Sequence, residues 1–99
     1  MSVIKSQENG VLTLRVEGAL NNVTSPMLEE ALSAAIDEAK QISVDFADTK
    51  YVSSAGLRVI LIGLKKAKKN GVTIKFVNVS TSVLDVLDAT GFSDFMDIE

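Results

Sequence analysis

Three runs in which apolar residues take every second position, separated by two longer stretches of helical apolar spacing, leave this chain few ways to bury its hydrophobic side chains. Leu12, Leu14 and Val16 alternate with Thr13, Arg15 and Glu17; Ile42, Val44 and Phe46 form a second such run and Val72–Val79 a third. Alternation of this kind marks a strand with one buried face. Between the runs, Leu28, Leu32, Ala35, Ile36 and Ala39 recur at helical spacing, as do Leu57, Ile60, Leu61 and Leu64. Strands joined by helices long enough to cross over lie parallel in one sheet.

The start of the chain departs from that rule. Val3–Gln7 and Val11–Glu17 flank Glu8-Asn9-Gly10, and Asn-Gly supplies the two positive φ angles of a type I′ turn, so an antiparallel hairpin is expected at one edge. Gly18–Val23 reads as a loop. Thr24 or Ser25 then caps a helix running to about Ala39, with Pro26, Glu29 and Glu30 expected in its first turn, where acids suit the helix dipole. The second helix starts at Ser53-Ser54 and stops at Asn70-Gly71, with four lysines at its end. Ser80-Thr81-Ser82 caps a short helix that ends at Gly91, and Phe92, Phe95, Met96 and Ile98 make a last short strand or docked tail. The expected order is ββαβαβα(β). The fold class is α/β, a single domain over 1–99 with a mixed, mostly parallel sheet, an antiparallel edge hairpin and helices packed mainly on one face.

What the chain lacks narrows its chemistry. With no Cys, no His and no Trp among 99 residues, it cannot form a disulfide, a thiolate nucleophile, a zinc site of the usual kind or a Ser-His-Asp relay. No cofactor or metal is expected. A Ser-Lys dyad would need a desolvated lysine, yet the lysines cluster where they are wet; neither a Gly-x-Ser-x-Gly elbow nor a phosphate-binding Gly-x4-Gly-Lys loop occurs. The expectation is a protein that is not an enzyme. A phosphoaspartate receiver would need an acidic pair after the first parallel strand, where Gly18–Asn22 stands, and Asp45 is expected inside a strand rather than at its tip.

The formal charge of −3 gives no reason to gather on nucleic acid or anionic lipid. Lys65, Lys66, Lys68 and Lys69 complement the end of a helix dipole and have no interleaved aromatics for base stacking. Val59–Ile62, the longest aliphatic run, is far too short to span a membrane, and the first residues lack a signal-peptide stretch. A cytoplasmic protein without direct membrane insertion is expected. The charge is unevenly spread: Thr49–Leu84 holds no carboxylate and seven of the ten basic residues.

In open α/β sheets the functional crevice lies beyond the carboxyl ends of the parallel strands. Two polar loops fall there, Asn21-Asn22-Val23-Thr24-Ser25 and Val52-Ser53-Ser54-Ala55-Gly56. For Ser53-Ser54 two readings stand, a helix cap or a serine that accepts a phosphate. A phosphate there would meet unpaired backbone N–H groups and the positive dipole end. Without a carboxylate between Thr49 and Leu84, it would be the dominant negative charge of that segment.

Val44-Asp45-Phe46 followed by Tyr51-Val52-Ser53-Ser54-Ala55-Gly56-Leu57-Arg58 resembles the signature of the STAS domains of bacterial anti-sigma factor antagonists. Gly18-Ala19-Leu20-Asn21 with Thr24 is similar to the family's Gly-x-Leu-Asp loop, and Thr90-Gly91-Phe92 to its C-terminal ending. The resemblance implies that Ser54 is the phosphorylated serine, with Asn21, Asn22, Thr24, Ser53, Ala55, Gly56 and Arg58 around it as partner-binding residues. It also implies the partners: an anti-sigma factor that is a serine kinase of the histidine-kinase-like ATPase type, bound while Ser54 is unmodified, and a serine phosphatase that restores binding. Ser53 stands where the family has an acid, and Asn21 where it often has Asp, which lessens repulsion against a phosphate at Ser54. STAS domains also serve as interaction subunits of lipid-transport ATPase complexes and stressosome-type assemblies, which is the alternative role.

Overall fold

The computed structural model describes residues 2–99; Met1, the first position of the expected 1–99 domain, lies outside the described residues. Asn9 and Gly10 adopt φ of 53° and 81°, both left-handed as a type I′ turn requires. They fold β1 (Ser2–Glu8) onto β2 (Val11–Leu20), with Glu8 opposite Val11 and Ser2 opposite Glu17. The expected loop at Gly18–Val23 is therefore shorter, because β2 continues through Leu20.

The remaining elements are α1 (Ser25–Glu38), β3 (Gln41–Asp45), β4 (Thr49–Val52), α2 (Ser54–Asn70), β5 (Thr73–Val77), α3 (Thr81–Ala89), a single 3-10 turn (Phe92–Asp94) and β6 (Asp97–Ile98). The sheet runs β1-β2-β3-β5-β6, and every pair except the hairpin is parallel. Its register aligns the apolar positions in rows: Leu12–Ile42–Ile74 and Leu14–Val44–Phe76. All six are buried, and they share one core with Leu28, Leu32, Ala35 and Ile36 of α1, Leu57, Val59 and Ile60 of α2, and Val83 and Leu87 of α3. The intervening row Thr13–Ser43–Lys75 is exposed or half-buried. Because successive side chains of a strand point to opposite faces, the helices cover one face of the sheet.

One strand was not legible in the sequence. β4 lies beside the far end of β2, pairing Gly18 with Thr49 and Leu20 with Val52, and a register shift between Gly18 and Ala19 bends the ladder. The buried Thr49 hydroxyl fastens it by donating to the Val16 carbonyl at 2.8 Å. Only the ends of β4, Thr49 and Val52, are buried, while Lys50 and Tyr51 are exposed. That pattern gives no alternation to read.

The helices also differ in detail from expectation. Glu29 and Glu30 fall beyond the first turn of α1, which contains no acid. On α2 the buried set is Gly56, Leu57, Val59, Ile60, Gly63 and Ala67, so Leu61 and Leu64 are peripheral. The face is rotated because α2 packs on α1 as well as on the sheet: a Cβ on Gly63 would collide with the side chain of Leu32. Only Lys68 and Lys69 occupy the last turn. Lys66 is held across the helix pair, donating to the Ser33 carbonyl at 3.0 Å and hydroxyl at 2.8 Å and pairing with Asp37 at 3.1 Å. Asp45 is the last residue of β3, at its tip after all, but its carboxylate is engaged by the Ala47 amide at 2.8 Å and the Asn78 carboxamide at 3.2 Å. Among the described residues no helix is long and apolar enough to cross a membrane, and no group of three metal-ligating side chains exists.

Candidate functional site

Leu20 and Val52 are paired at the carboxyl ends of adjacent parallel strands, so the two polar loops identified in the sequence emerge side by side. In the first, Asn21 closes the loop upon itself. Its carboxamide oxygen accepts from the Val23 and Thr24 amides at 3.0 and 3.1 Å, and its carbonyl accepts from Ser25 at 2.8 Å. The Thr24 hydroxyl accepts from the Asn21 amide at 3.0 Å and donates to the Ala19 carbonyl at 2.6 Å. Thr24 therefore holds the N-cap position of α1 without capping it through its side chain; the Asn21 carboxamide takes up the loop donors instead.

In the second loop the two serines separate their tasks. Ser53 is the N-cap of α2: its amide donates to the Leu20 carbonyl at 2.8 Å, its carbonyl accepts from Leu57 at 2.9 Å, and its hydroxyl accepts from the Gly56 amide at 3.4 Å. Ser54, one position on, is the first residue of the helix and is exposed. Among the described residues, the amides of Ser54 and Ala55 find no protein acceptor, as expected for the first turn of a helix. Gly56 is buried, and a Cβ there would lie 3.0 Å from the Leu20 side chain and 3.1 Å from that of Val52. Only a glycine lets the start of α2 sit so close over β2 and β4.

Between the N-terminal halves of α1 and α2 lies a groove of about 600 Å³ lined by Asn22, Ser25, Pro26, Glu29, Ser54, Ala55, Arg58, Val59 and Ile62. Four residues singled out in the sequence, Asn22, Ser54, Ala55 and Arg58, thus share one surface. The other four, Asn21, Thr24, Ser53 and Gly56, form the scaffold beneath it. Five wall residues, Ser25, Pro26, Glu29, Val59 and Ile62, were not anticipated as part of the site, and three of them bear on its chemistry. Ile62 is 44% exposed although apolar, and its only sequence signal is that it falls off the core stripe. Glu29 lines the groove from α1, so a phosphate at Ser54 would have an acidic neighbour in space although its own segment, Thr49–Leu84, holds none. Ser25 is 2% exposed and its hydroxyl has no hydrogen-bond partner among the described residues, an arrangement that costs about 1–3 kcal/mol when the hydroxyl stays unsatisfied. Exposed Val23, at 83%, lies in the first loop between Asn22 and Thr24.

The sequence and the fold have parallels in known proteins. The family model for the STAS domain matches residues 2–99. The anti-sigma-B factor antagonist of Bacillus subtilis is 28% identical over 95 residues, which cover 96% of this chain and 86% of that protein. The crystal structure of an anti-sigma factor antagonist from Mycobacterium paratuberculosis superposes with a TM-score of 0.87 at 21% identity, over 98% of this chain and 83% of the other. The phosphorylated form of the Bacillus cell fate determinant SpoIIAA superposes with a TM-score of 0.75 at 16% identity, over 99% and 91%. A family match spanning nearly every residue, on a fold with the same course, means that this chain belongs to the STAS domain family.

Proposed function

We propose that the protein is an anti-sigma factor antagonist whose binding is switched by phosphorylation of Ser54. The observation that carries this reading is the division of labour at the start of α2. Ser53 satisfies the helix end, leaving the Ser54 hydroxyl free, exposed and at the rim of a groove that also presents apolar surface through Ile62. A serine with a capping task could not be modified without loosening the helix; Ser54 can. The names of the relatives, and the solved phosphorylated form of a related fold, support the same reading.

In the unmodified state the partner, an anti-sigma factor that is also a serine kinase of the histidine-kinase-like ATPase type, docks over Ser54, with Asn22, Ala55 and Arg58 in contact, and its sigma factor is released. The kinase then transfers the γ-phosphoryl group of ATP to the Ser54 oxygen; the hydroxyl proton leaves to a base or solvent and ADP departs. The dianion at the centre of the contact must be desolvated or repelled on re-docking, which costs about 2–5 kcal/mol. A serine phosphatase hydrolyses the ester and returns the binding form. Neither catalytic step requires a base or metal from this chain, and the cycle runs in the cytoplasm.

Incubation with ATP and a partner kinase of the proposed type is expected, by intact mass and peptide mapping, to add one phosphoryl group to the wild type and to Ser53→Ala, and none to Ser54→Ala. Modification of Ser53, or none in the wild type, would overturn the assignment.

A further inference from the structure

Ser25 lines the groove at whose rim Ser54 stands, and its hydroxyl is buried just beneath that wall without a hydrogen-bond partner among the described residues. Local structure gives it no task, since the turn into α1 is already closed by Asn21 and Thr24. What it lacks is an acceptor. Opposite it, on α2, Arg58 lies four residues beyond Ser54, the spacing that places two side chains on one helical face, and among the described residues it makes no ion pair. The amides of Ser54 and Ala55 are open at the same place. The residues that carry these donors come from two helices and line one groove together with Ser54.

We propose that the Ser25 hydroxyl and the Arg58 guanidinium, with the open amides at the start of α2, form an intramolecular seat for the phosphate of phosphorylated Ser54. The proposal rests on Ser54 being the phosphate acceptor. The oxygens of a phosphate dianion are pure acceptors, so they complete a set of donors that has no other partner among the described residues. The charged side chains that line the groove are Arg58 from α2 and Glu29 from α1; Arg58 favours the dianion and Glu29 opposes it. Seating the phosphate withdraws Arg58 from the partner and fills the mouth of the groove, so phosphorylation removes a contact as well as adding a charge.

Phosphoserine placed at position 54 by genetically encoded incorporation tests the seat without any kinase, so its failure is distinct from failure of the kinase assignment. The 31P shift of the folded protein, followed against pH, is expected to titrate below the ordinary second phosphate pKa of about 6, by roughly 0.5–1 unit relative to the same chain in urea. Ser25→Ala and Arg58→Gln should each return the midpoint upward, and Glu29→Gln should lower it further. In the unmodified protein Ser25→Ala should leave Tm unchanged or raise it, since a hydroxyl without a partner is removed. A midpoint equal to that in urea overturns the proposal. So does a midpoint that ignores Ser25→Ala while Arg58→Gln shifts it, because helical proximity alone would then account for the effect.

Discussion

Ser54→Glu is expected to weaken binding to the anti-sigma partner by about tenfold to a hundredfold, while Ser54→Ala binds as tightly as the unmodified wild type. The magnitudes follow from charge. A phosphoserine dianion in the contact costs about 2–5 kcal/mol, and a single carboxylate carries half that charge or somewhat more, leaving a penalty near 1.4–2.8 kcal/mol. Alanine removes only an exposed hydroxyl that makes no hydrogen bond among the described residues. Ser53→Glu is the informative control: it places the same charge one residue earlier, where the side chain caps the helix rather than facing the groove. Its effect on affinity should be smaller than that of Ser54→Glu. Calorimetric titration of the three variants against one partner preparation checks the order.

Phe46→Ala is expected to lower the free energy of unfolding by about 3–5 kcal/mol. Phe46 is wholly buried, its ring centroid lies 5.7 Å from that of Phe76, and its backbone joins three strands: its amide donates to the Val77 carbonyl and its carbonyl accepts from Thr49 at the start of β4. A domain of this size has about 5–15 kcal/mol of stability in total, so the loss is a large share of it. At about 4–8 °C per kcal/mol, Tm should fall by more than about 12 °C. Urea unfolding followed by circular dichroism measures the change. A loss below about 1 kcal/mol would mean that the space left by the ring closes by relaxation of its neighbours, and that the Phe46–Phe76 contact does not anchor the end of the sheet that carries the site.

How much of this was legible in the sequence depended on whether a local pattern reported a tertiary fact. Leu12, Leu14, Val44 and Phe76 alternate because one face of the sheet is covered, so strand positions and parallel order could be read. Asn9-Gly10 encodes its turn in its own backbone preferences. β4 could not be read, because its pairing with the end of β2 depends on Thr49 reaching Val16, 33 residues earlier. The loops at Asn21 and Ser53 were visible as polar clusters, but which side chain caps and which faces the groove is decided by the hydrogen bonds to Ala19 and Leu20. Ser25 and Glu29 entered the site only through the packing of α1 against α2. That packing turns on Gly63 lying against Leu32, a contact no spacing within either helix announces.

The central claim is that one phosphoryl group on Ser54 decides whether this surface binds its partner. Isothermal calorimetry of the wild-type protein against its anti-sigma partner, before and after quantitative phosphorylation of Ser54, tests it most directly. The predicted result is a Kd raised by about 30-fold or more, the equivalent of about 2 kcal/mol, and restored when a phosphatase removes the group. Equal affinity of the two forms for that partner would contradict it.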